Sequence, residues 1–179
     1  MMSNVREVLI SREELNKKVK ELGAIISKDY KGQELMLIGV LKGGFVFLAD
    51  LIREITIDID LDFMAVSSYG SSTKSSGVVR IIKDIETNIQ EKHILIVEDI
   101  VDTGLTINYL KGIIMARGPK SVKVCAMLDK PSKRKTNIEL DYKGIEIPDE
   151  FVIGYGLDYN GKFRNLPDLC ILDSVTYQK

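Results

Sequence analysis

Short uninterrupted apolar runs alternate along the chain with segments whose apolar residues recur every three or four positions. Ser11 and Glu14 have the spacing of a capping box, and Leu15, Val19, Leu22 and Ile26 follow on one helical face. That pattern predicts an amphipathic helix over 11–28. The apolar run 35–41 predicts a strand, and Phe45, Leu48, Ala49 and Ile52 return to helical spacing over 45–53. Strands are expected at 61–68 and 78–83. The run Ile94-Leu95-Ile96-Val97 has no polar alternation, as in a parallel strand buried on both faces. A helix over 107–117 is stopped by Gly118-Pro119, and strands follow at 121–128 and 169–172. Strand, turn and helix in succession predict an α/β fold, a central mostly parallel sheet flanked by helices. Residues 132–143 are charged and expected to face solvent, with Lys133-Arg134-Lys135 as a solvated loop.

Composition narrows the picture. With 179 residues, 45% of them hydrophobic, the chain can bury one substantial core, and no repeat or long linker divides it. A formal net charge of -1 does not recommend nucleic acid or an anionic membrane as partner. Cys125 and Cys170 stand alone in apolar stretches, which suits small buried hydrophobes in a reducing compartment. No apolar run approaches bilayer length, and the polar start is not a signal peptide, so the expected location is the cytoplasm. His93 is the single histidine, so carboxylates, lysines and arginines must carry the chemistry. Any metal would be a hard, oxygen-binding one such as magnesium.

The central apolar run ends in adjacent carboxylates, Glu98 and Asp99, and Asp102 follows before Thr103-Gly104-Leu105-Thr106. Open parallel sheets place ligands at this end of a strand. Gly104 permits a turn that a Cβ would penalise, and the helix behind it presents unpaired amides to an anion. Acids beside an anion nest suit a sugar phosphate whose hydroxyls meet the carboxylates. An acidic loop with Asp102 as helix cap is the alternative. Lys42-Gly43-Gly44 occupies an equivalent position after strand 35–41, although it is not a Walker loop. Residues 68–77 are small and polar, which suits a mobile segment or a long hairpin loop.

Residues 97–106 resemble the phosphoribosyl-pyrophosphate (PRPP) signature of type I phosphoribosyltransferases, and more narrowly that of the bacterial-type hypoxanthine-guanine phosphoribosyltransferases. The likeness extends from Leu35 to Leu172, with four motifs in order. It implies the type I fold, one domain over 1–179. The core would lie at about 35–145, with a purine hood from the N-terminal segment and about 146–179. It further implies a lid at about 68–77 in which Ser68 and Tyr69 close over the site and exclude water.

The implied reaction is magnesium-dependent transfer of the 5-phosphoribosyl group from PRPP to hypoxanthine or guanine, giving IMP or GMP and pyrophosphate. By resemblance, Glu98 and Asp99 face the ribose hydroxyls and the metal, and Thr103, Gly104, Leu105 and Thr106 hold the 5'-phosphate. Asp102 lies near N7 of the purine as general base. Lys42, Gly43, Gly44 and Arg164 receive pyrophosphate. Lys130 donates to the 6-oxo group, Phe151 stacks on the ring, and the carbonyls of Val152 and Asp158 face the guanine amino group. The Asp158 carboxylate helps to bind a second magnesium. Leu105 departs from the lysine that some members carry, which removes one charge but no amide. A homodimer or homotetramer is expected by the same resemblance.

Three other classes fit less well. A PRPP-sensing regulator that binds nucleic acid has less reason to keep Lys130, Phe151 and Asp158 together. A magnesium phosphatase wants Asp-x-Asp after a strand, whereas two residues separate Asp99 from Asp102. A nicotinamide dehydrogenase needs a GxGxxG that follows no strand here.

Overall fold

The computed structural model describes residues 5–68 and 79–173. Its elements run in the order β1 (Val5–Ile10), α1 (Arg12–Asp29), β2 (Leu35–Leu41), α2 (Phe45–Glu54), β3 (Ile59–Ser68), β4 (Val79–Lys83) and β5 (His93–Val101). Then come α3 (Leu105–Met115), β6 (Ser121–Asp129), a 3-10 turn (Pro131–Lys133), β7 (Tyr142–Glu146), β8 (Val152–Ile153) and β9 (Leu169–Leu172). Among the described residues the main sheet has six strands in the order β4-β3-β2-β5-β6-β7, parallel except for β4. Every parallel strand therefore delivers its following loop to one edge.

The order places β2 and β5 side by side, with β3 outward of one and β6 outward of the other. This is a topological switch point, where loops diverge and leave a crevice. The loops that begin at Lys42 and Asp102 flank it.

Strand alternation divides the core in two. Leu35, Leu37, Leu95, Val97, Cys125 and Met127 bury against α1 and α2. Met36, Ile38, Ile94, Ile96, Val124 and Ala126 face the opposite side and pack with Ile107, Leu110 and Ile114 of α3. Period-two side chains thus meet helices on both faces, which explains the unbroken apolar runs. Helix α1 opens with the full Ser11–Glu14 capping box. None of the described helices is long and apolar enough to cross a membrane.

A separate three-stranded antiparallel sheet, β1-β9-β8, pairs the N-terminal strand with the last one. Ile153, Phe163, Cys170 and Leu172 form its own small core. Val152 belongs to its strand β8, and Phe151 directly precedes it.

Two expectations need correction. The central strand does not stop at the carboxylates. It runs to Val101, because Ile100 and Val101 continue the ladder with Leu128 and Asp129. The segment 132–143 is not uniformly solvent-facing. Arg134 is mostly buried, Ile138 and Leu140 pack against the core, and Tyr142 is buried in β7. Charged neighbours masked this in the sequence.

Candidate active site

The turn after β5 is built around Gly104, which has φ +79° and stands as N-cap of α3. A Cβ there would meet Thr136 Oγ1 at 2.4 Å and Ile138 Cγ2 at 2.9 Å. Glycine therefore serves both the left-handed conformation and the close packing. Asp102 is not the helix cap. Its Oδ1 atom is buried and accepts no hydrogen bond from the described residues. A cavity of about 90 Å³ lies here, lined by Glu98, Asp102, Thr103, Gly104, Thr106 and Ile107 among others. A larger one, about 480 Å³, lies beyond Arg164 against α1 and α2 and contains none of the turn residues.

Glu98 and Asp99 are consecutive residues within β5, and their carboxyl groups interact with each other. Asp99 is buried, and a Cβ on Gly43 would fall 1.6 Å from its Oδ2 atom. The loop Lys42-Gly43-Gly44 thus rests on this carboxyl group, while the Lys42 side chain is exposed. Glu98 is partly buried, with Oε2 sealed from solvent and unpartnered. Burial and the neighbouring Asp99 push the Glu98 carboxyl well above the ordinary range. Burial also raises Asp99, offset in part by the Ile100 amide and by Arg164. Two adjacent oxygen donors that resist ionisation fit a hard cation, which would relieve both.

Arg164 and Asp158, assigned above to different ligands, are paired with each other at 2.6 Å. Arg164 also donates to the Gly156 carbonyl at 2.7 Å, and Asp158 accepts from the Gly161 amide at 2.7 Å. A Cβ on Gly156 would lie 2.3 Å from the Gly43 carbonyl oxygen, so this segment contacts the Lys42-Gly43 loop backbone to backbone. Among the described residues no three Asp, Glu, His or Cys side chains converge as a metal site. The carboxylates come in ones and twos.

After β6, Lys130 is buried, and its ammonium donates to the Glu150 carbonyl at 2.8 Å. Glu150 is fixed in turn by Arg6 of β1 at 2.9 Å. Phe151 next to it is 38% exposed and meets Tyr159 edge to face. An accessible ring face beside a buried ammonium suits a flat, oxygen-bearing heterocycle. Val152 is buried in β8. Ser68 ends β3, and Tyr69 with the rest of the lid segment to 77 lies outside the described residues. His93 sits at the opposite edge of the sheet, hydrogen-bonded to Ser121.

The sequence reading missed Asp129, Arg134 and Glu150. Asp129 is a buried carboxylate held by Arg134 and Lys143. An aspartate at a strand's end carries no such signal by itself.

The phosphoribosyl transferase domain model matches residues 11–160. The chain is 51% identical over 178 residues to hypoxanthine-guanine phosphoribosyltransferase of Bacillus subtilis, covering 99% of each chain. The chain belongs to the hypoxanthine-guanine phosphoribosyltransferases. The Mycobacterium tuberculosis member is 46% identical, over 98% of this chain and 90% of that one. A Staphylococcus aureus hypoxanthine phosphoribosyltransferase structure superposes with a TM-score of 0.96 at 44% identity, covering 100% of this chain and 97% of that one. The architecture is thus the type I phosphoribosyltransferase fold, and its parallel edge carries the turn 102–106, Lys42-Gly43-Gly44 and Lys130 together.

Proposed function

We propose that this chain transfers the 5-phosphoribosyl group of PRPP to hypoxanthine or guanine, forming IMP or GMP and pyrophosphate in purine salvage. The observation that carries the reading is the buried, unpartnered Asp102 Oδ1 beside the amide-rich turn. A carboxylate kept in that condition awaits a donor from the substrate.

In the transfer, the bond from C1' to the pyrophosphate oxygen breaks and a bond from C1' to N9 of the purine forms. Positive charge develops at C1', and the leaving oxygen gathers negative charge. The turn amides and the Thr103 and Thr106 hydroxyls hold the 5'-phosphate, and Glu98 and Asp99 face the ribose. Lys42, the Gly43 and Gly44 backbone and Arg164 receive the pyrophosphate. Asp102 takes the proton from N7 as N9 bonds. Lys130 donates to the 6-oxo oxygen, which selects against adenine, and Phe151 stacks on the ring. The carbonyls of Val152 and Asp158 face the 2-position and disfavour the extra oxo group of xanthine.

Magnesium would be held through Glu98 and Asp99 on the ribose side and through Asp158 on the pyrophosphate side. Carboxylates in ones and twos are what magnesium needs when substrate oxygens and water complete its shell. When bound, it neutralises the leaving pyrophosphate. The sheet β1-β9-β8 would form the hood, and the cytoplasmic enzyme would assemble as a homodimer or homotetramer.

A spectrophotometric assay with PRPP, magnesium and each of hypoxanthine, guanine, xanthine and adenine tests the reading. Rapid IMP and GMP formation is expected, with turnover about 10²- to 10⁴-fold lower in Asp102→Asn. PRPP binding without nucleotide formation would make the protein a PRPP sensor. Turnover of xanthine alone would overturn the assignment of the hood.

A further inference from the structure

The run Lys133-Arg134-Lys135 reads as a solvated loop in sequence, yet Arg134 is 18% exposed and all its nitrogens donate inward. Nε donates to the Asp102 carbonyl at 3.1 Å, and Nη2 to the Val101 carbonyl at 3.3 Å. Nη2 also pairs with Asp129, and Nη1 reaches the Ile138 carbonyl at 3.3 Å. The next two residues continue the pattern. The Lys135 amide donates to the Thr103 carbonyl at 2.9 Å, and Thr136 Oγ1 donates to it at 3.4 Å. Three consecutive carbonyls, those of Val101, Asp102 and Thr103, are therefore held from one side by residues 134–136.

Peptide planarity turns this into a statement about donors. In a trans peptide the carbonyl and the following N–H point in opposite directions. Fixing those three carbonyls aims the amides of Asp102, Thr103 and Gly104 the other way. Among the described residues none of these amides donates to a backbone carbonyl. The cavity of about 90 Å³ is lined by the same residues. A nest of this kind binds an anion only while its amides stay convergent, and the guanidinium keeps them so from behind.

We infer that Arg134 is a positioning residue, setting the amides of the Asp102–Gly104 turn for the 5'-phosphate without touching it. The inference rests on the function proposed above and adds a residue outside the motif. Arginine is required because one planar fork reaches three carbonyls and a carboxylate together, which an ammonium cannot do. The Asp129 contact extends the frame to the neighbouring Lys130, so the phosphate turn and the purine lysine share one support.

Calorimetric titration of IMP and of inosine, which lacks the phosphate, separates this role from general stability. Wild-type protein should bind IMP more tightly than inosine. In Arg134→Met that preference should fall at least tenfold, about 1.4 kcal/mol, with inosine affinity changed less than about twofold. Arg134→Lys should recover only part of the preference, and it carries the test if the methionine variant does not fold. Lys143→Met, which removes the other partner of Asp129 but no carbonyl contact, should leave the preference unchanged. An unchanged preference in a folded Arg134 variant, or equal weakening of IMP and inosine, would overturn the inference. Wild-type protein that fails to bind IMP would instead overturn the functional reading beneath it.

Discussion

The Asp99 carboxyl occupies the space that any side chain at Gly43 would need. A Cβ at position 43 would lie 1.6 Å from Asp99 Oδ2, and Asp99 is fixed there by burial and by the Ile100 amide. The Lys42-Gly43-Gly44 loop and the acidic strand are therefore complementary surfaces.

Gly43→Ala should lower stability by about 1–3 kcal/mol, the cost of an overpacked site, and raise the KM for PRPP. The clash is pairwise, so Asp99→Ala should suppress much of the stability loss. A double-mutant cycle by thermal melting, with coupling below about 0.5 kcal/mol, would refute the pairing.

Glu98 predicts a stability change with the opposite sign to its activity change. Burial and Asp99 raise its carboxyl pKa above that of the unfolded chain, so the folded state loses stability as pH climbs through the unfolded value of about 4.3. Glu98→Gln should therefore melt higher than wild type at about pH 7.5, and the gap should close toward about pH 4. Its turnover should fall, because an amide is a poorer partner for a cation and for ribose hydroxyls. Equal melting temperatures at both pH values would remove the electrostatic cost assigned to this residue.

Asp62 behaves in the reverse sense. Burial works against its ionisation. The amides of Phe63, Glu86 and Thr87 and the Lys83 ammonium outweigh that and hold its pKa at about 2. The stabilisation is fully present above the unfolded carboxyl value, near 3.9, and is lost as pH falls through the folded value. Asp62→Asn should cost about 1–3 kcal/mol near neutrality, with the deficit shrinking in acid. The carboxylate ties β3 to the chain just after β4, so melting curves across pH test how firmly this edge of the sheet is held.

Lys130→Met should reduce kcat/KM for hypoxanthine by about 10- to 100-fold, the worth of a hydrogen bond to a charged donor. Discrimination against adenine should fall with it. Steady-state comparison of the two bases decides the point, and undiminished discrimination would place 6-oxo recognition elsewhere.

Local signals made the framework legible. The Ser11–Glu14 box and the apolar spacing behind it mark α1 to within a residue, and residues 35–41 form β2 as the pattern predicts. Placing Lys42, Asp102 and Lys130 after strand ends required only the apolar runs before them. Their adjacency did not follow, because strand order is a tertiary choice. Strand β5 passes through Glu98 and Asp99 because its ladder with β6 continues on both sides of them, information that lies in another part of the chain. Arg134 was hidden for a related reason. Between Lys133 and Lys135 its charge suggests water, whereas its partners are backbone carbonyls, which sequence does not display.

The all-parallel centre of the sheet has a consequence for how such a chain can change over time. Its two edges are chemically unequal: one gathers every loop that follows a strand, while the other carries the start of each strand, including His93 and its partner Ser121. Substitutions at the His93 edge can adjust heat tolerance while leaving substrate choice alone. Substitutions in the loops can adjust substrate choice while leaving the ladder alone. Heat tolerance and substrate choice can therefore be altered at opposite edges of the same sheet.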